Sequence, residues 1–507
     1  MTWRHYFCFV LVVLLAGLAA RFSPDERLLS SVINSVQRDS LEEVSSRELV
    51  EGAISGLLER SPYYPYTVYV PPEEQKEFED EMEGVFSGIG IHNMAVDEAS
   101  GELWFSPFYG SPAWEAGLRF GDRIVAVEGE KAEGHTLYEI VSLIHGEEGT
   151  PVSLTVRSRA SIVSAYHVPD AGPGSPSGTE NDAENGAEPA DRPEGETGGE
   201  PGAVREVSIT RSAVHESTLS GFRRGEDGEW IWTLDDHPEI GYVHLEQFNE
   251  EAPALWEKAF EELEKKGISA LILDLRGNPG GLLEDAVSLS SCFLPEGEEI
   301  STVRRRGGVV EDRLESKGGK KYDWPIAVLI DHDSASASEM VSGALADHHR
   351  ATLVGTRSYG KGTVQKIIEL PRNLGLIRLT SASFFRPNGE PFHRMQDADE
   401  DDVWGISPDP ENLIEPDDYQ MNAAALFADL RSYPPAEDDP PAGDLVRLIF
   451  DRARKRDLIR GDEGEVIAET ECDFATPSTA DPQFQRALEI LLAGEGDQSE
   501  KSEGDAP

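Results

Sequence analysis

The segment IAVLIDHDSASASEMVSGALADHHR, residues 326–350, decides the fold class of this chain. It opens with an apolar run of the kind that forms a strand buried on both faces, and a polar turn leads from this strand into a helix-forming pattern. Similar strands are predicted at 240–245, 268–276 and 351–355, with an amphipathic helix over 255–267 between the first two. Strands that alternate with helices predict an α/β core with a mainly parallel sheet.

Ser336 lies in the polar turn of this segment, three residues before Glu339, which is the spacing of a helix-capping box. The same position suits a nucleophile, because ligands bind at the carboxyl ends of parallel strands and a helix N-terminus stabilises negative charge. From this segment alone, a capping residue and a nucleophile are equally good interpretations of Ser336.

A second segment, RSYGKGTVQ at 357–365, places Lys361 between two glycines. A single lysine in a glycine turn is most often an exposed side chain. A desolvated lysine is nevertheless an effective base, because burial disfavours its charged form, and Ser–Lys pairs are a known nucleophile–base arrangement. Gln365, four residues further on, is placed to accept a hydrogen bond from the amine.

A third segment, DLRGNPGGLL at 274–283, is a glycine-rich loop after a buried strand. Such a loop can turn backbone N–H groups towards a ligand, as an oxyanion hole requires, although it equally fits a plain turn. It matches neither the phosphate-binding P-loop pattern nor the dinucleotide-binding GxGxxG pattern.

Taken together, these segments resemble the carboxy-terminal processing peptidases, also called tail-specific proteases. The resemblance is carried by SASASEMVSGALADHHR, YGKGTVQ, ILDLRGNPGG, IGYVHLEQF, LTSASFFRPNG and DPQFQRALEILL, in that family's order and spacing, and covers about Ala53 to Leu492. The run GSPAWEAGLRFGDRIVAVEG, residues 110–129, resembles a PDZ domain. The chain departs from the family pattern at SPYYPYTVYV and in two acidic insertions.

The resemblance implies an α/β core of crotonase/ClpP-like type with an inserted, β-rich PDZ domain and helical N- and C-terminal segments. It implies that Ser336 is the nucleophile, Lys361 the base and Gln365 the residue that orients the lysine. The backbone N–H groups expected to form the oxyanion hole are those of Ala337 and of Gly280 or Gly281. The residues expected to bind the substrate tail in the PDZ domain are Gly88, Ile89, Gly90 and Ile91.

The predicted organisation has five parts: a signal peptide or N-terminal anchor (1–22), a helical region (23–84), the PDZ domain (85–214), the serine peptidase core (215–420) and a C-terminal helical region with an acidic disordered tail (421–507). Within the PDZ domain, residues 168–203 contain nine acidic residues, one arginine and no aromatic residue. Such a composition predicts disorder. Because strands are predicted on both sides, at 152–157 and 205–214, this tract is expected to enlarge a hairpin loop.

The N-terminus carries an apolar run without charge, YFCFVLVVLLAGLAA at 6–20, preceded by Arg4. This pattern predicts a secretory signal, and the run is shorter than the roughly 20 residues of a spanning helix. An uncleaved anchor over residues 6–22 is the alternative. In either case the remaining chain is expected outside the cytoplasm, as a periplasmic, secreted or membrane-anchored protein.

The net charge of the 507 residues is −51, which argues against a nucleic-acid partner or an anionic membrane surface, since both require a basic face. The three cysteines, Cys8, Cys292 and Cys472, form neither a disulfide framework nor a metal-binding pattern. No metal and no organic cofactor is implied, and the helices at 25–60 could support a homodimer.

The leading interpretation is an exported serine endopeptidase that cleaves proteins near their C-termini after the PDZ domain presents the substrate tail. One alternative is a peptide-binding PDZ scaffold with a degenerate protease core, and another is a crotonase-type acyl enzyme. Weaker alternatives pair Ser336 with His332, His348 or His349, or place a metal at residues 331–333.

Overall fold

The computed structural model describes residues 23–76, 78, 86–96, 102–158, 202–214, 218–319, 321–371, 373–399, 401–435 and 481–503. The signal-peptide prediction, most of the acidic tract 168–203 and much of the C-terminal region therefore lie outside the described residues, as do Cys8 and Cys472. Among the described helices, none combines the length and the apolar composition that crossing a bilayer would require.

The helices of the described chain, in order, are α1 (Pro24–Asp39), α2 (Ser46–Leu58), α3 (Pro112–Glu115), α4 (Leu137–Ile144), α5 (Ala252–Lys266), α6 (Leu283–Ser291), α7 (Ala337–Asp347), α8 (Asp418–Arg431) and α9 (Pro482–Glu503).

The first strands, as far as the end of the PDZ region, are β1 (Val68–Val70), β2 (Phe86–Gly88), β3 (Ile91–Val96), β4 (Leu103–Pro107), β5 (Arg123–Val127), β6 (Glu130–Lys131), β7 (Pro151–Arg157), β8 (Val204–Thr210) and β9 (Ser212–Val214). The later strands are β10 (Leu219–Ser220), β11 (Arg223–Arg224), β12 (Trp230–Ile231), β13 (Ile240–Leu245), β14 (Ala270–Asp274), β15 (Glu299–Arg305), β16 (Val309–Glu315), β17 (Ile326–Ile330), β18 (Ala351–Gly355), β19 (Thr363–Glu369) and β20 (Leu376–Phe385).

The chain forms two compact units, the first containing residues up to 79 together with 364–382 and 395–397. In this unit the predicted N-terminal helical stretch consists of two helices. The second, α2, begins after Ser45, which forms a capping box with Glu48 as the sequence spacing predicts. The region also contains β1, which pairs antiparallel with the start of β20.

The second unit contains a sheet in the order β10-β13-β14-β17-β18. Its last four strands are parallel, and the edge strand β10 is antiparallel. Strands β14 and β17 are buried along their whole length, which explains their continuous apolar sequence. Since β15 and β16 form a further antiparallel pair, the strand pairing is mixed, and the crotonase/ClpP-like arrangement stays a prediction.

A buried ionic network joins helix α9 to the carboxyl end of β14. Arg276 contacts the carboxylate of Asp274 at 2.7 Å and that of Asp481 at 2.7 Å, and Tyr242 donates its hydroxyl to Asp274. Burial opposes ionisation of Asp274, but the adjacent guanidinium of Arg276 lowers the pKa of this carboxyl group to about 2. The strand end from which the glycine-rich loop departs is therefore held by three paired charges.

The PDZ region, also in the second unit, contains a sheet in the order β3-β4-β5-β7-β8, and β2 pairs with β9. Strands β7 and β8 are paired over seven residues, from Pro151 opposite Thr210 to Arg157 opposite Val204. The acidic tract therefore connects the two adjacent ends of a complete hairpin.

Replacing residues 168–203 by a short turn should leave the hairpin and the hydrolysis of a small peptide unchanged. Loop-closure entropy changes only logarithmically with length, and the flanking strands keep all their pairing. We expect a melting temperature within about 3 °C of the parent and an unchanged peptide-cleavage rate. Strong protection of the tract from hydrogen exchange in the intact protein would contradict the prediction of disorder.

Candidate active site

The turn that carries Ser336 connects the buried strand β17 to helix α7. Asp331 shapes this turn, because its Oδ1 accepts hydrogen bonds from the backbone N–H groups of Asp333 and Ser334 and from that of Gly277 in the glycine-rich loop. The hydroxyl of Ser334 donates to the carbonyl of Leu275 at 2.8 Å. Side-chain contacts thus fix the turn against the neighbouring strand end.

Ser336 has φ 56° and ψ −109°, a backbone conformation that favours glycine. It immediately precedes α7, whose first residue is Ala337, and the Ser336 N–H donates to the Glu339 carboxylate at 2.8 Å. This half of the predicted capping box is therefore formed. The strain and the helix N-terminus are both features that occur at nucleophilic serines.

The glycine-rich loop packs directly against Ser336. A Cβ atom added to Gly280 would lie 2.7 Å from the Cβ of Ser336 and 2.9 Å from the nitrogen of Ala337, so only glycine fits at this position. Asn278 holds the loop, donating from Nδ2 to the Leu245 carbonyl and accepting the Gly280 N–H on Oδ1 at 2.8 Å. The Gly280 N–H could therefore bind an oxyanion only by leaving Asn278, whereas Gly281 makes no such contact.

Lys361 lies in a short segment, residues 358–361, that packs on the first turn of α7. Its side chain is half-buried, and its backbone N–H donates to the same Glu339 carboxylate oxygen that binds the Ser336 N–H, at 2.7 Å. The first and second sequence motifs are thus brought together around one buried carboxylate. Gln365 lies on β19 in the first compact unit, where its side chain is half-buried.

The alternative histidines are engaged or distant. His348 and His349 follow the C-terminus of α7, and the length of this helix, with Ser336 before its first residue, places them about 18 Å or more from Ser336. His348 Nε2 also lies 2.7 Å from the Glu299 carbonyl oxygen. His332 is exposed and lies 3.3 Å from the Asp333 carboxylate. These contacts give no support to a Ser–His pair.

Residues 331–333 place two carboxylates and an imidazole within 4.8 Å of one another. His332 and Asp333 are exposed, and Asp331 already accepts the three backbone hydrogen bonds that shape the turn. The proximity of these three side chains is explained by the tight turn that Asp331 stabilises. Cys292 is a free cysteine, and burial raises the pKa of its thiol to about 12, which makes it a poor nucleophile.

A groove of about 310 Å³ runs along the PDZ region and contains all four residues expected to bind a substrate tail. Gly90 has φ +76°, and a Cβ there would meet the Cβ of Ser111 at 2.3 Å, so the loop between β2 and β3 requires glycine. The residues that line the groove are Gly88, Ile89, Gly90, Ile91, His92, Met94, Phe108, Val141, Ile144, His145 and Val214. Most of these side chains are apolar, which suits an apolar ligand end.

Helix α8 and the residues after it contact the PDZ region within the second unit. The Ser106 hydroxyl donates to Asp429 at 2.8 Å, and Nε2 of the groove residue His92 lies 3.5 Å from the same carboxylate. Tyr433 donates its hydroxyl to the Pro107 carbonyl and stacks on Trp114 at 5.2 Å between ring centres. The groove is therefore connected to helix α8 through its own lining residue His92.

Sequence reasoning missed two residues that organise the site, Asn278 and the carboxylate of Glu339. Asn278 lies inside the quoted DLRGNPGGLL motif, where its buried amide is what shapes the loop. For Glu339 the sequence spacing predicts only a capping role. A signal was present in both cases, since Glu339 is the one charged residue of SASASEMVSGALA and Asn278 stands among the glycines of its loop.

Comparison with known proteins matches residues 239–411 to peptidase family S41 and residues 109–158 to the PDZ domain. A carboxy-terminal-processing protease of Bartonella bacilliformis is 32% identical over 368 residues, which cover 72% of this chain and 69% of that protein. The carboxy-terminal processing protease CtpA of Bacillus subtilis is 29% identical, covering 72% and 66% of the two chains.

Among solved structures, a photosystem II D1 C-terminal processing protease is 22% identical, covering 78% of this chain and 94% of that one with a TM-score of 0.42. The sequence matches, rather than this structural likeness, carry the assignment. Because the identity exceeds 30% over more than two thirds of a carboxy-terminal processing protease, this chain belongs to that family, the S41 peptidases, and is a serine protease with a PDZ domain.

Proposed function

We propose that the protein is an exported endopeptidase that cleaves protein substrates near their C-termini, with Ser336 as nucleophile and Lys361 as base. The observation that carries this assignment is the buried Glu339 carboxylate, which binds the backbone N–H groups of both residues. Gln365, four residues after Lys361, orients the amine in this proposal.

In the proposed reaction the Ser336 Oγ attacks the scissile carbonyl carbon while the neutral Lys361 amine takes the hydroxyl proton. The resulting oxyanion is bound by the backbone N–H of Ala337 and by a glycine of the 280–281 pair, at the N-terminus of α7 where negative charge is favoured. The C–N bond then breaks, and the lysine ammonium gives its proton to the departing amine.

The acyl-enzyme ester on Ser336 is then hydrolysed. Lys361, neutral again, takes a proton from a water molecule as its oxygen attacks the ester carbonyl. Collapse of the second tetrahedral intermediate releases the shortened substrate as a carboxylic acid and returns the proton to Ser336. This sequence uses the chain, the substrate and one water molecule.

The PDZ groove is proposed to bind the substrate C-terminus by strand addition along β3, with the terminal carboxylate held by backbone N–H groups of the loop at 88–91. Two features support this role. The lining of the groove is mostly apolar, and position 90 in the loop admits only glycine. The contact between His92 and Asp429 on α8 offers a route by which groove occupancy affects the core.

Export is proposed from the apolar run at 6–20, with removal or retention of residues 6–22 as the two outcomes. A homodimer is proposed through the N-terminal helices, and exposed apolar side chains support this proposal. Leu28, Leu29 and Val32 on α1 are 64%, 45% and 51% exposed, and neighbouring exposed apolar side chains on one helix suit an interaction surface better than singly exposed ones.

The test of tail recognition compares a peptide substrate bearing a free apolar C-terminus with its amidated form. Losing charge-assisted hydrogen bonds to the carboxylate should cost about 1.5–3 kcal/mol, or roughly 10- to 100-fold in apparent affinity. We therefore expect kcat/KM to fall by a comparable factor on amidation. Equal kcat/KM values for the two peptides would contradict carboxylate recognition.

A matched pair of variants locates the effect in the groove. Val141 lines the groove and is half-buried, whereas its neighbour Ser142 is exposed. Val141→Asp should abolish the difference between free and amidated peptides, and Ser142→Asp, which adds the same charge outside the groove, should preserve it. If both variants keep the difference, the tail is bound elsewhere.

A further inference from the structure

Glu339 is a buried carboxylate whose two oxygens are both occupied. It is the third residue of α7, its side chain is fully buried, and it accepts four hydrogen bonds. The donors are the N–H groups of Ser336 and Lys361 on Oε2, at 2.8 and 2.7 Å, and the Gly360 N–H and the Ser358 hydroxyl on Oε1, both at 2.6 Å.

One oxygen of this carboxylate sets the spacing of the proposed nucleophile and base. The backbone nitrogens of Ser336 and Lys361 both lie within hydrogen-bond distance of Oε2, so they can be no further apart than the sum of the two distances, 5.5 Å. The two residues are 25 positions apart in the chain. This single acceptor thus connects the backbones from which the two reacting side chains extend.

The other oxygen holds the segment that carries Lys361. Ser358 donates its hydroxyl to Oε1 and accepts the Ile406 N–H at 2.7 Å. Two consecutive hydrogen bonds thus connect the Ile406 backbone to the Glu339 carboxylate. The Tyr359 N–H donates to the Ser334 carbonyl at 3.0 Å. Segment 358–361 is therefore attached to the nucleophile turn mainly through Glu339.

An ionised carboxylate can accept hydrogen bonds from all four of these donors. A protonated carboxyl group carries an O–H donor and so has a smaller acceptor capacity. Burial raises the pKa of Glu339 to about 7, although each of the four hydrogen bonds acts to lower it. A proton on either oxygen would face an N–H that already points at that oxygen. The full set of contacts is consistent only with the charged form.

We propose that Glu339 is a positioning residue of this protease, whose ionised carboxylate sets the separation of Ser336 and Lys361. The proposal rests on the assignment of these two residues as nucleophile and base. It gives Glu339 no contact with substrate, and it makes catalysis depend on one more ionisation than a Ser–Lys pair alone would require.

Other titratable groups lie on the elements packed around Glu339. Segment 358–361 carries Tyr359 and Lys361, and behind it His393 Nδ1 lies 3.1 Å from the Gly360 carbonyl oxygen. Helix α6, which packs against α7, carries Glu284 and Asp285. Strand β15, which also packs against α7, carries Glu299, Arg304 and Arg305. Burial raises the pKa of Asp285 to about 6, so this residue needs its own control in any pH experiment.

Glu339→Gln in the full-length protein tests the contacts directly. The glutamine amide keeps one acceptor oxygen and places an NH₂ donor against at least one backbone N–H. The turn that carries Ser336 and segment 358–361 should therefore move apart. A displacement of about 1 Å in a reacting group costs on the order of 100-fold. We therefore expect kcat on an unstructured reporter peptide to fall 10- to 100-fold with KM changed less than threefold. Glu339→Asp, which keeps the charge but is one methylene shorter, should recover only part of this loss.

The second test varies pH and uses milder variants that will fold if Glu339→Gln does not. In Ser358→Ala the carboxylate loses one donor, which disfavours its ionised form and raises the pKa of Glu339 further. The acid limb of kcat against pH should therefore move to higher pH by roughly one unit. Ser342→Ala is the matched control, because this buried serine of α7 donates to the Ser338 carbonyl rather than to the carboxylate.

The outcomes separate this proposal from the proposed function. An unshifted acid limb in Ser358→Ala, an equal shift in Ser342→Ala, or a shift produced by Asp285→Asn would overturn the role of Glu339. Full kcat in a folded Glu339→Gln would overturn it as well. Ser336→Ala and Lys361→Arg are assayed in parallel, and if either retains parental activity the catalytic assignment itself is wrong.

Discussion

Replacing Ser336 by alanine should remove proteolysis while the protein still folds. The variant lacks the hydroxyl that is proposed to form the acyl-enzyme, and loss of a nucleophile of this kind typically costs on the order of 10⁴-fold or more in kcat. The structural cost is at most that of a lost helix cap, about 1 kcal/mol. The measurement is peptide hydrolysis together with thermal unfolding. Wild-type cleavage by a folded Ser336→Ala protein would exclude this serine as the nucleophile.

Ser336→Gly is an informative companion variant because the serine backbone is strained. With φ 56° and ψ −109°, this position suits glycine, and a non-glycine residue there carries about 1–3 kcal/mol of strain. Ser336→Gly should therefore be as inactive as Ser336→Ala yet about 1 kcal/mol more stable than it. If the glycine variant were the less stable of the two, the turn would not store strain at the nucleophile.

Lys361→Arg should be inactive at every pH at which the protein is folded. Arginine keeps a positive charge but is not deprotonated in proteins, so it cannot take the serine proton. Removing a general base typically lowers the rate 10²- to 10⁴-fold. Lys366→Arg is the matched control, since this lysine lies five residues further on and is exposed, and it should retain parental kcat/KM.

The parent enzyme should gain activity as pH rises, because the proposed base Lys361 acts only in its neutral form and Glu339 is proposed to act only when ionised. Loss of a proton from Lys361 and loss of a proton from Glu339 both raise the rate. Protons must therefore be lost from two groups before the rate reaches its plateau. The logarithm of kcat should therefore fall with a slope steeper than one at acidic pH. Activity that stayed constant from pH 5 to pH 8 would contradict both assignments.

Much of the fold follows from local sequence signals. The buried strands, the helix that ends at Gly267, and the capping box of Ser45 and Glu48 all occur where the sequence predicts them. Hydrophobic period, helix caps and glycine turns are decided within a few residues, so a single sequence is sufficient to read them. The hairpin that carries the acidic tract was predictable for the same reason, from two strand patterns on either side of a composition that cannot pack.

For the candidate site as well, some features follow from local sequence and others depend on tertiary contacts. Sequence by itself predicted Ser336 and Lys361 as the residues that carry the chemistry, because each lies in a short motif with a local signature. Tertiary structure alone decided how they are held, since Glu339 collects donors from residues 358–361, nineteen to twenty-two positions away. It also decided that Asn278 takes the Gly280 N–H and that Asp429 contacts the PDZ region. Such contacts depend on which surfaces pack together, and loop closure over tens of residues leaves no periodic trace in the sequence.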